Sequence, residues 1–340
     1  MSDPGLTVAV TGPTGTFGFG LIPLLQDDPR IARVVGIARR AFDPRRYGWS
    51  KLEYRRGDVR DPGALKDAFE GADVVVHLAF MITGTASRET IREINVQGTL
   101  NAFGAAAAAG AGRFVYASSV AAYGFHPDNP IGMTEDWPTR PATRLFYAQE
   151  KAELERLLRE QSDAHPDLAL YLLRPPIVLG PHAVGAKSAL PEPLAEIAQR
   201  ALDLAGRLPL PIPVPTPELP MQFIHEDDVG RALQSCVVGD GPPGAYNIAG
   251  HGIVTAADVV RELGFTPITV PAGMTEAAAR ATARIPFPWF APPAAEWIEA
   301  ASHPAIMDTT KAERELGWQP RFTGLEALRA TLRRERDGPD

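Results

Sequence analysis

The sequence has almost no cysteine and no long apolar run. Cys236 is the one cysteine among 340 residues, which excludes an internal disulfide and a cysteine cluster for zinc or an iron–sulfur centre. The histidines show no metal-ligand spacing. No stretch reaches the roughly 18 apolar residues of a transmembrane helix, and the first residues do not resemble a targeting segment. We therefore expect a cytoplasmic protein without a metal or a membrane partner.

Basic residues are also fewer than acidic residues. The 41 acidic residues outnumber the 34 basic ones, which gives a formal net charge of −7. The basic residues form no stripe with interleaved aromatic residues, so the pattern argues against nucleic acid as a partner. With 45% hydrophobic and 22% charged residues, the composition is that of an ordinary globular protein. A small molecule is the expected partner.

A glycine-rich turn near the N-terminus is the first feature that indicates chemistry. Residues 11–18 read Thr-Gly-Pro-Thr-Gly-Thr-Phe-Gly, between a β-like run at 7–10 and an apolar helical run at 21–25. Such glycines let the backbone approach a pyrophosphate at a helix N-terminus. The spacing G-x-x-G-x-x-G differs from the common G-x-G-x-x-G, so the turn alone fits both a dinucleotide site and an ordinary loop.

Strand-like and helix-like segments alternate along the first half of the chain. Short β-branched runs joined by helices imply right-handed crossovers and a parallel sheet. We predict an α/β fold, a Rossmann-type doubly wound parallel sheet with a small C-terminal substrate-binding subdomain. The predicted strands are 33–38, 73–79, 113–118 and 169–173, and the predicted helices are 62–69, 91–109 and 143–161.

The pattern changes after residue 180. Residues 181–222 are rich in proline, which cannot belong to a central strand; an extended edge or lid connector is favoured over a polyproline docking site. A strand-then-helix pattern returns at 223–233. The predicted domains are a nucleotide-binding domain at 1–180 with 221–250, and a substrate-binding subdomain at 181–220 and 251–335.

Three polar side chains are candidates for catalysis. Tyr147 and Lys151 are four residues apart on a predicted helix and therefore share a face. An ammonium beside a phenol favours the phenolate and lowers its pKa from about 10. Ser119, with Ser118, follows a predicted strand at the edge where parallel sheets bind ligands. An exposed surface pair would explain Tyr147 and Lys151 alone, and a capped turn would explain the serines alone. Neither explains why the glycine turn, the serines and the Tyr–Lys pair follow one another along the chain.

Together these motifs resemble the extended short-chain dehydrogenase/reductase family, which includes NAD(P)-dependent epimerases and dehydratases of sugar nucleotides. The resemblance covers nearly the whole chain. The matching segments are 11–18, 57–61, 77–79, 95–99, 118–124, 147–151, 174–181, 223–233 and 316–320.

The resemblance implies hydride transfer between nicotinamide and a carbinol carbon. Tyr147 would be the general acid/base, Ser119 would hydrogen-bond the reacting oxygen, and Lys151 would lower the pKa of Tyr147 and bind the nicotinamide ribose. A homodimer through helices 91–109 and 143–161 is also implied. With Tyr147 and Lys151, the implied cofactor-binding residues are Gly12, Thr14, Gly15, Thr16, Phe17, Gly18, Asp58, Val59, Leu78, Ala79, Pro175 and Ile177. The predicted substrate-lining residues are Phe80, Met81, Ser118, His126 and Phe146.

Arg39 and Arg40 bear on the choice of cofactor. They follow the second predicted strand, where an acidic residue would bind the ribose 2′-OH and an arginine would pair with a 2′-phosphate. Ala38 cannot accept a hydrogen bond from its side chain. The sequence therefore favours NADP(H), with NAD(H) and a solvated surface pair as the alternatives.

One departure from the family bears on the substrate. Sugar-nucleotide members carry an arginine in an Arg-Asp-Phe-like segment just before the Phe-Ile-His strand, whereas this chain reads Pro220-Met221-Gln222-Phe223 there. The loss of that arginine removes a charge-assisted partner for a diphosphate. We therefore expect a ketoreductase or alcohol dehydrogenase acting on a small, largely uncharged carbonyl or alcohol. The alternatives are an epimerase or dehydratase acting on a sugar or sugar nucleotide, and a regulator that senses NADP(H) without catalysis.

The cofactor preference can be tested by fluorescence titration of the purified protein with NADPH and with NADH. If Arg39 pairs with a 2′-phosphate, NADPH binds at least tenfold more tightly, about 1.4 kcal/mol, and Arg39→Asp removes that margin. Equal or tighter binding of NADH would make Arg39 a surface charge.

Overall fold

A parallel sheet of seven strands forms the centre of the protein, which a computed structural model describes over residues 5–82, 86–141, 145–183, 213–270 and 303–337. The strands are β1 (Leu6–Thr11), β2 (Ile31–Ala38), β3 (Leu52–Arg56), β4 (Val74–His77), β5 (Arg113–Ala117), β6 (Ala169–Arg174), β7 (Ile177–Leu179), β8 (Pro213–Pro217), β9 (Pro220–Met221), β10 (Phe223–His225), β11 (Gly244–Asn247), β12 (Val254–Thr255) and β13 (Thr266–Val270). The helices are α1 (Thr16–Asp27), α2 (Pro62–Phe69), α3 (Arg88–Arg92), α4 (Gly98–Ala108), α5 (Phe146–Ala164), α6 (Glu226–Val238), α7 (Ala256–Glu262), α8 (Thr310–Glu315) and α9 (Gly324–Asp337).

The order of the strands fixes where a ligand can bind. The central sheet runs β11-β6-β5-β4-β1-β2-β3, and each neighbouring pair is parallel. The chain moves outward from β1 to β3 and then returns to β4 on the other side of β1. The crevice at the carboxyl ends of β1 and β4 is therefore the topological switch point, where doubly wound sheets bind ligands. The predicted fold class is confirmed.

Both faces of the sheet are buried, which explains the nearly continuous apolar strands. Val8 and Val10 of β1 pack in one cluster with Leu21 of α1. Ala9, on the opposite face, packs in a second cluster with Phe103 of α4. Successive strand residues point to opposite faces, so helices on both sides are needed to cover these side chains.

Within the described ranges, three short two-stranded sheets lie outside the central one. They pair β7 with β10, β9 with β12, and β8 with β13. The prolines of β8 are thus in a separate small sheet, in agreement with their predicted exclusion from a central strand. Residues 184–212 and 271–302 lie outside the described ranges, including Pro209, Pro211, Trp289, Phe290 and Trp297, so the predicted substrate-binding subdomain stays a prediction. Among the described helices, none combines the length and apolar character needed to cross a bilayer.

The predicted helix 91–109 is interrupted. It consists of α3, a π turn at Glu93–Gln97, and α4. The Thr99 hydroxyl donates to the carbonyl of Asn95 at 2.5 Å within this stretch. Such π turns are frequent at functional sites. The predicted helix 143–161 is observed as α5, which begins at Phe146; residues 142–144 lie outside the described ranges.

Two glycines let α1 and α6 approach closely. A Cβ on Gly230 of α6 would lie 2.1 Å from the carbonyl oxygen of Gly20, and a Cβ on Gly20 would lie 2.2 Å from that of Glu226. Both neighbours are backbone atoms, so neither can move aside alone. The contact holds α1 in the position from which its N-terminus faces the switch point.

We expect Gly230→Ala to lower the free energy of unfolding by about 1–3 kcal/mol, because the added methyl group forces two helices apart. Urea unfolding followed by circular dichroism measures this change. Gly104→Ala in α4 is the matched control: nothing lies within 4 Å of a Cβ there, so alanine stabilises by up to about 1 kcal/mol. A Gly230→Ala protein as stable as the original would contradict the close packing.

Candidate active site

The predicted glycine turn lies between β1 and α1. Gly12 has φ +68°, and a Cβ there would come within 2.9 Å of the Ala79 backbone nitrogen. A Cβ on Gly18 would lie 2.1 Å from the carbonyl oxygen of Pro13. Gly15 is exposed and caps α1 without a side chain. The turn is therefore a cradle of backbone at a helix N-terminus, which fits the pyrophosphate of a dinucleotide.

A buried histidine positions the adjacent strand end. His77 lies between the hydroxyls of Thr11, 2.9 Å from Nδ1, and Thr99, 3.0 Å from Nε2. Burial lowers the pKa of His77 to about 3, so the ring is neutral. The Thr11 hydroxyl also accepts hydrogen bonds from the backbone N–H groups of Leu78 and Ala79, each at 3.2 Å. These two predicted cofactor residues thus lie beside the glycine turn.

The three predicted catalytic residues meet at the carboxyl end of β5. Ser119 begins the short turn after that strand, where its oxygen accepts a hydrogen bond from the Ala121 N–H at 3.1 Å. The Ser119 hydroxyl is also hydrogen-bonded to that of Tyr147. Lys151, one turn further along α5, donates from Nζ to the carbonyl of Ala117 at 2.7 Å. All three side chains therefore border one space at the carboxyl edge of the sheet, two strands away from the glycine turn that follows β1.

The electrostatics of this group differ from the sequence expectation. Burial raises the pKa of Tyr147 to about 12, and the hydrogen bond with Ser119 opposes that rise. Burial lowers the pKa of Lys151 to about 7, although the charges of Glu150 and Glu155 raise it. Lysine was expected to lower the pKa of Tyr147. A lysine that is itself desolvated loses part of its charge near neutral pH, which weakens this effect.

Phe80, a predicted substrate residue, covers the lysine. Lys151 Nζ lies 3.7 Å from the centre of the Phe80 ring and 4.7 Å from that of Tyr116. The Phe80 ring also meets the Tyr147 ring edge to face, with centres 5.7 Å apart. The ammonium is thus enclosed by aromatic rings, whose faces attract a cation.

A buried ion pair that the sequence did not reveal supports the turn that carries Ser119. Arg174 donates to both oxygens of Glu155, at 2.8 and 2.5 Å, and both side chains are 1% exposed. Ser118, predicted to line the substrate site, donates its hydroxyl to Glu155 at 2.6 Å. Burial raises the pKa of Glu155, but Arg174 outweighs it and holds the carboxyl ionised. Charged residues are usually solvated, so only the spacing of four from Lys151 to Glu155 hinted at this role.

The adenosine end of the expected cofactor site is polar and open. Arg39 and Arg40 are exposed on the turn after β2. Asp58 accepts from the Arg60 guanidinium at 2.8 Å, which with the charge of Arg39 lowers the pKa of Asp58 despite partial burial. Val59 is buried. A cavity of about 490 Å³ borders this region, lined by Asp58, Arg60, Asp61, Glu93 and Gln97.

The remaining predicted residues have varied surroundings. Pro175 is buried, whereas the side chain of Ile177 is 51% exposed. A ring nitrogen of His126 lies 2.7 Å from the carbonyl oxygen of Arg140. The Phe146 ring stacks on a guanidinium, with Arg88 Cζ 5.5 Å from its centre. Thr14, Thr16, Phe17 and Met81 are half-buried.

Gln222 is engaged by the backbone of a distant segment. Its amide nitrogen donates to the carbonyl of Met307 at 3.0 Å, and its amide oxygen accepts from the Met307 N–H at 2.8 Å. This pairing satisfies both ends of the amide. In the ranges that the structure covers, no three histidine, cysteine, aspartate or glutamate side chains come together as a metal site.

Comparisons with known proteins agree with this geometry. The profile of the NAD dependent epimerase/dehydratase family matches residues 8–249. An uncharacterized protein of Mycobacterium tuberculosis is 29% identical over 328 residues, which cover 94% of this chain and 82% of that protein. The N-acetyl-alpha-D-glucosaminyl-diphospho-ditrans,octacis-undecaprenol 4-epimerase of Escherichia coli O157:H7 is 36% identical over 126 residues, or 36% of this chain and 37% of that enzyme.

The fold and the resemblance to the predicted family are both supported by solved structures. The structure of MoeE5 in complex with UDP-glucuronic acid and NAD superimposes with a TM-score of 0.70 and 25% identity, covering 97% of this chain and 99% of that one. The predicted family is confirmed. The chain belongs to the NAD dependent epimerase/dehydratase family and is an NAD(P)-dependent enzyme of the extended short-chain dehydrogenase/reductase type.

Proposed function

We propose that the protein is an epimerase-type enzyme that transiently oxidises a carbinol carbon of a sugar or sugar nucleotide with bound NAD. The observation that carries the proposal is the convergence of Ser119, Tyr147 and Lys151 at the same carboxyl edge of the sheet as the glycine turn. Two similar proteins support the substrate class: MoeE5 binds UDP-glucuronic acid and NAD, and the relative from Escherichia coli is a 4-epimerase of a diphosphate-linked sugar.

Each residue of the site has a distinct role in this proposal. The Ser119 and Tyr147 hydroxyls are hydrogen-bonded to each other, so one substrate oxygen can be bound by both. Tyr147 takes the hydroxyl proton and later returns it. The protonated ammonium of Lys151 stabilises the tyrosinate by its positive charge. This protonated form predominates below the lysine pKa of about 7. When bound, NAD supplies the electrophilic carbon that accepts the hydride.

The cofactor is proposed to lie along the edge from the glycine turn to the two arginines. Gly12, Gly15 and Gly18 provide the backbone cradle for the pyrophosphate. Asp58 and Val59 flank the adenine, while Leu78, Ala79, Pro175 and Ile177 line the way to the nicotinamide. The exposure of Arg39 and Arg40 supports acceptance of a 2′-phosphate as well, so NADP remains a second candidate cofactor.

A second candidate function is net reduction of a less polar carbonyl. The segment 220–223 holds no arginine for a diphosphate, and its Gln222 is hydrogen-bonded to the Met307 backbone. Two large apolar side chains are exposed at the carboxyl edge of the sheet, Ile82 after β4 at 54% and Ile177 after β6 at 51%. Such side chains favour an apolar ligand over a sugar diphosphate. The proposed subdomain at 181–220 and 251–335 and the homodimer apply equally to both candidates.

The fate of the cofactor distinguishes the two candidates. An epimerase retains NAD through purification, converts a UDP-sugar to its epimer, and accumulates no free NADH, as measured by chromatography of the sugar and by fluorescence. A ketoreductase releases its cofactor and oxidises NADPH in proportion to an added ketone. A protein that does not bind UDP-sugars and that oxidises NADPH in net turnover would contradict the epimerase proposal.

Tyr147→Phe tests the role of the acid/base in either reaction. We expect kcat to fall about 10²–10⁴-fold, because the proton has no acceptor, and we expect the fall in kcat to exceed any loss of NADH binding. Tyr171→Phe is the control, since that hydroxyl donates to the carbonyl of Gly241 at the far edge of the sheet. A Tyr147→Phe protein with more than a tenth of the original kcat would remove Tyr147 from the mechanism.

A further inference from the structure

A buried carboxyl stands next to the catalytic lysine and takes no direct part in the proposed reaction. Glu150 precedes Lys151 on α5 and is 1% exposed. Its Oε2 accepts a hydrogen bond from the amide of Asn95 at 2.7 Å. Within the described ranges, Oε1 is buried and has no hydrogen-bond partner. Burying a carboxyl oxygen without a partner is unfavourable, so Glu150 destabilises the fold unless its other contact offsets that cost.

The hydrogen bond between Asn95 and Glu150 is linked through Asn95 to the backbone that follows β4. Asn95 lies in the π turn, and its amide nitrogen donates to the carbonyl of Met81 at 2.9 Å. Its amide oxygen accepts from the Met81 N–H at 2.7 Å. The two amide hydrogens therefore go to Met81 and Glu150, which fixes the orientation of the amide. Glu150 thus helps hold the backbone immediately after Phe80.

Phe80 is the residue whose position matters for the lysine. Its ring centre lies 3.7 Å from Lys151 Nζ, and its edge contact with Tyr147 spans 5.7 Å between ring centres. A displaced Phe80 ring would open the space around Nζ to water. The environment of the ammonium therefore depends on where the Met81 backbone holds this ring.

We propose that Glu150 is a positioning residue for the site: through Asn95 and the Met81 backbone, it holds the Phe80 ring over the Lys151 ammonium and against Tyr147. The importance of this arrangement for catalysis rests on the proposed function. The arrangement itself can be tested without any substrate, so its failure is distinguishable from a failure of the proposed reaction.

The competing explanation is that Glu150 acts on Lys151 only through its charge. Burial raises the pKa of Glu150, and its negative charge raises the pKa of Lys151, which burial lowers to about 7. Loss of that charge alone would lower the pKa of Lys151 further. Loss of the Phe80 cover would readmit water and raise it. The other charged or titratable groups near either side chain are Arg92, Glu153, Glu155, His77, Tyr116 and Tyr147.

The test is a pH titration of Lys151 by NMR in the full chain labelled with [ε-¹³C]lysine. The chain has five lysines, and Lys151→Met assigns the signal. In Glu150→Ala the amide of Asn95 loses one of its two acceptors, so Met81 and Phe80 are held less firmly, and we expect the pKa of Lys151 to rise by at least about one pH unit toward that of free lysine. In Glu150→Gln the side chain still accepts from Asn95, and we expect no rise.

Two further variants complete the test. Phe80→Leu leaves Glu150 and Asn95 unchanged but removes the ring, and it should raise the pKa of Lys151 as Glu150→Ala does. Glu160→Gln, which breaks an exposed pair with Arg156 on the same helix, should leave the titration unchanged. The proposal is overturned if Glu150→Ala lowers the pKa of Lys151 or leaves it unchanged, or if Glu150→Gln raises it equally. If Glu150→Ala does not fold, an unchanged titration in Phe80→Leu overturns it.

Discussion

The ion pair between Arg174 and Glu155 is the contact on which the site depends most. It is shut off from water and joins the end of β6 to α5, the helix that carries Tyr147 and Lys151. Through Ser118 it also fixes the turn that presents Ser119. Removing one partner of such a pair costs about 3–5 kcal/mol, because the other charge stays buried. One interaction thus sets the relative positions of three separate segments.

The exclusion of water that strengthens this ion pair also shifts the pKa values of the groups beside it. The carboxyl of Glu155 stays ionised because Arg174 donates to both its oxygens, while Lys151, enclosed by aromatic rings, has its pKa lowered to about 7. Tyr147 and His77 are held in their neutral forms by the same lack of water. The protonation state of each of these groups is therefore set by its burial and its contacts as well as by its residue type.

The alternation of strands and helices was predictable because each segment carries its own periodicity. The glycine turn and the Tyr147–Lys151 spacing were predictable for the same local reason. The π turn before α4, the orientation of Ser118 toward Glu155, and the clamp of Asn95 on Met81 were not. Each depends on a partner from a distant segment. The expected effect of Lys151 on Tyr147 also differed, since the sequence does not report how deeply a lysine is buried.

The sequence alone determined the parallel α/β architecture, the glycine cradle and the shared helical face of Tyr147 and Lys151. These follow from apolar periodicity, backbone freedom at glycine and the helical repeat, all of which act between near neighbours. Only the tertiary structure decided that Ser119 meets Tyr147, that Arg174 pairs with Glu155, and that Lys151 is desolvated. Protonation and hydrogen bonding depend on water exclusion, and water is excluded by segments that are far apart in the chain.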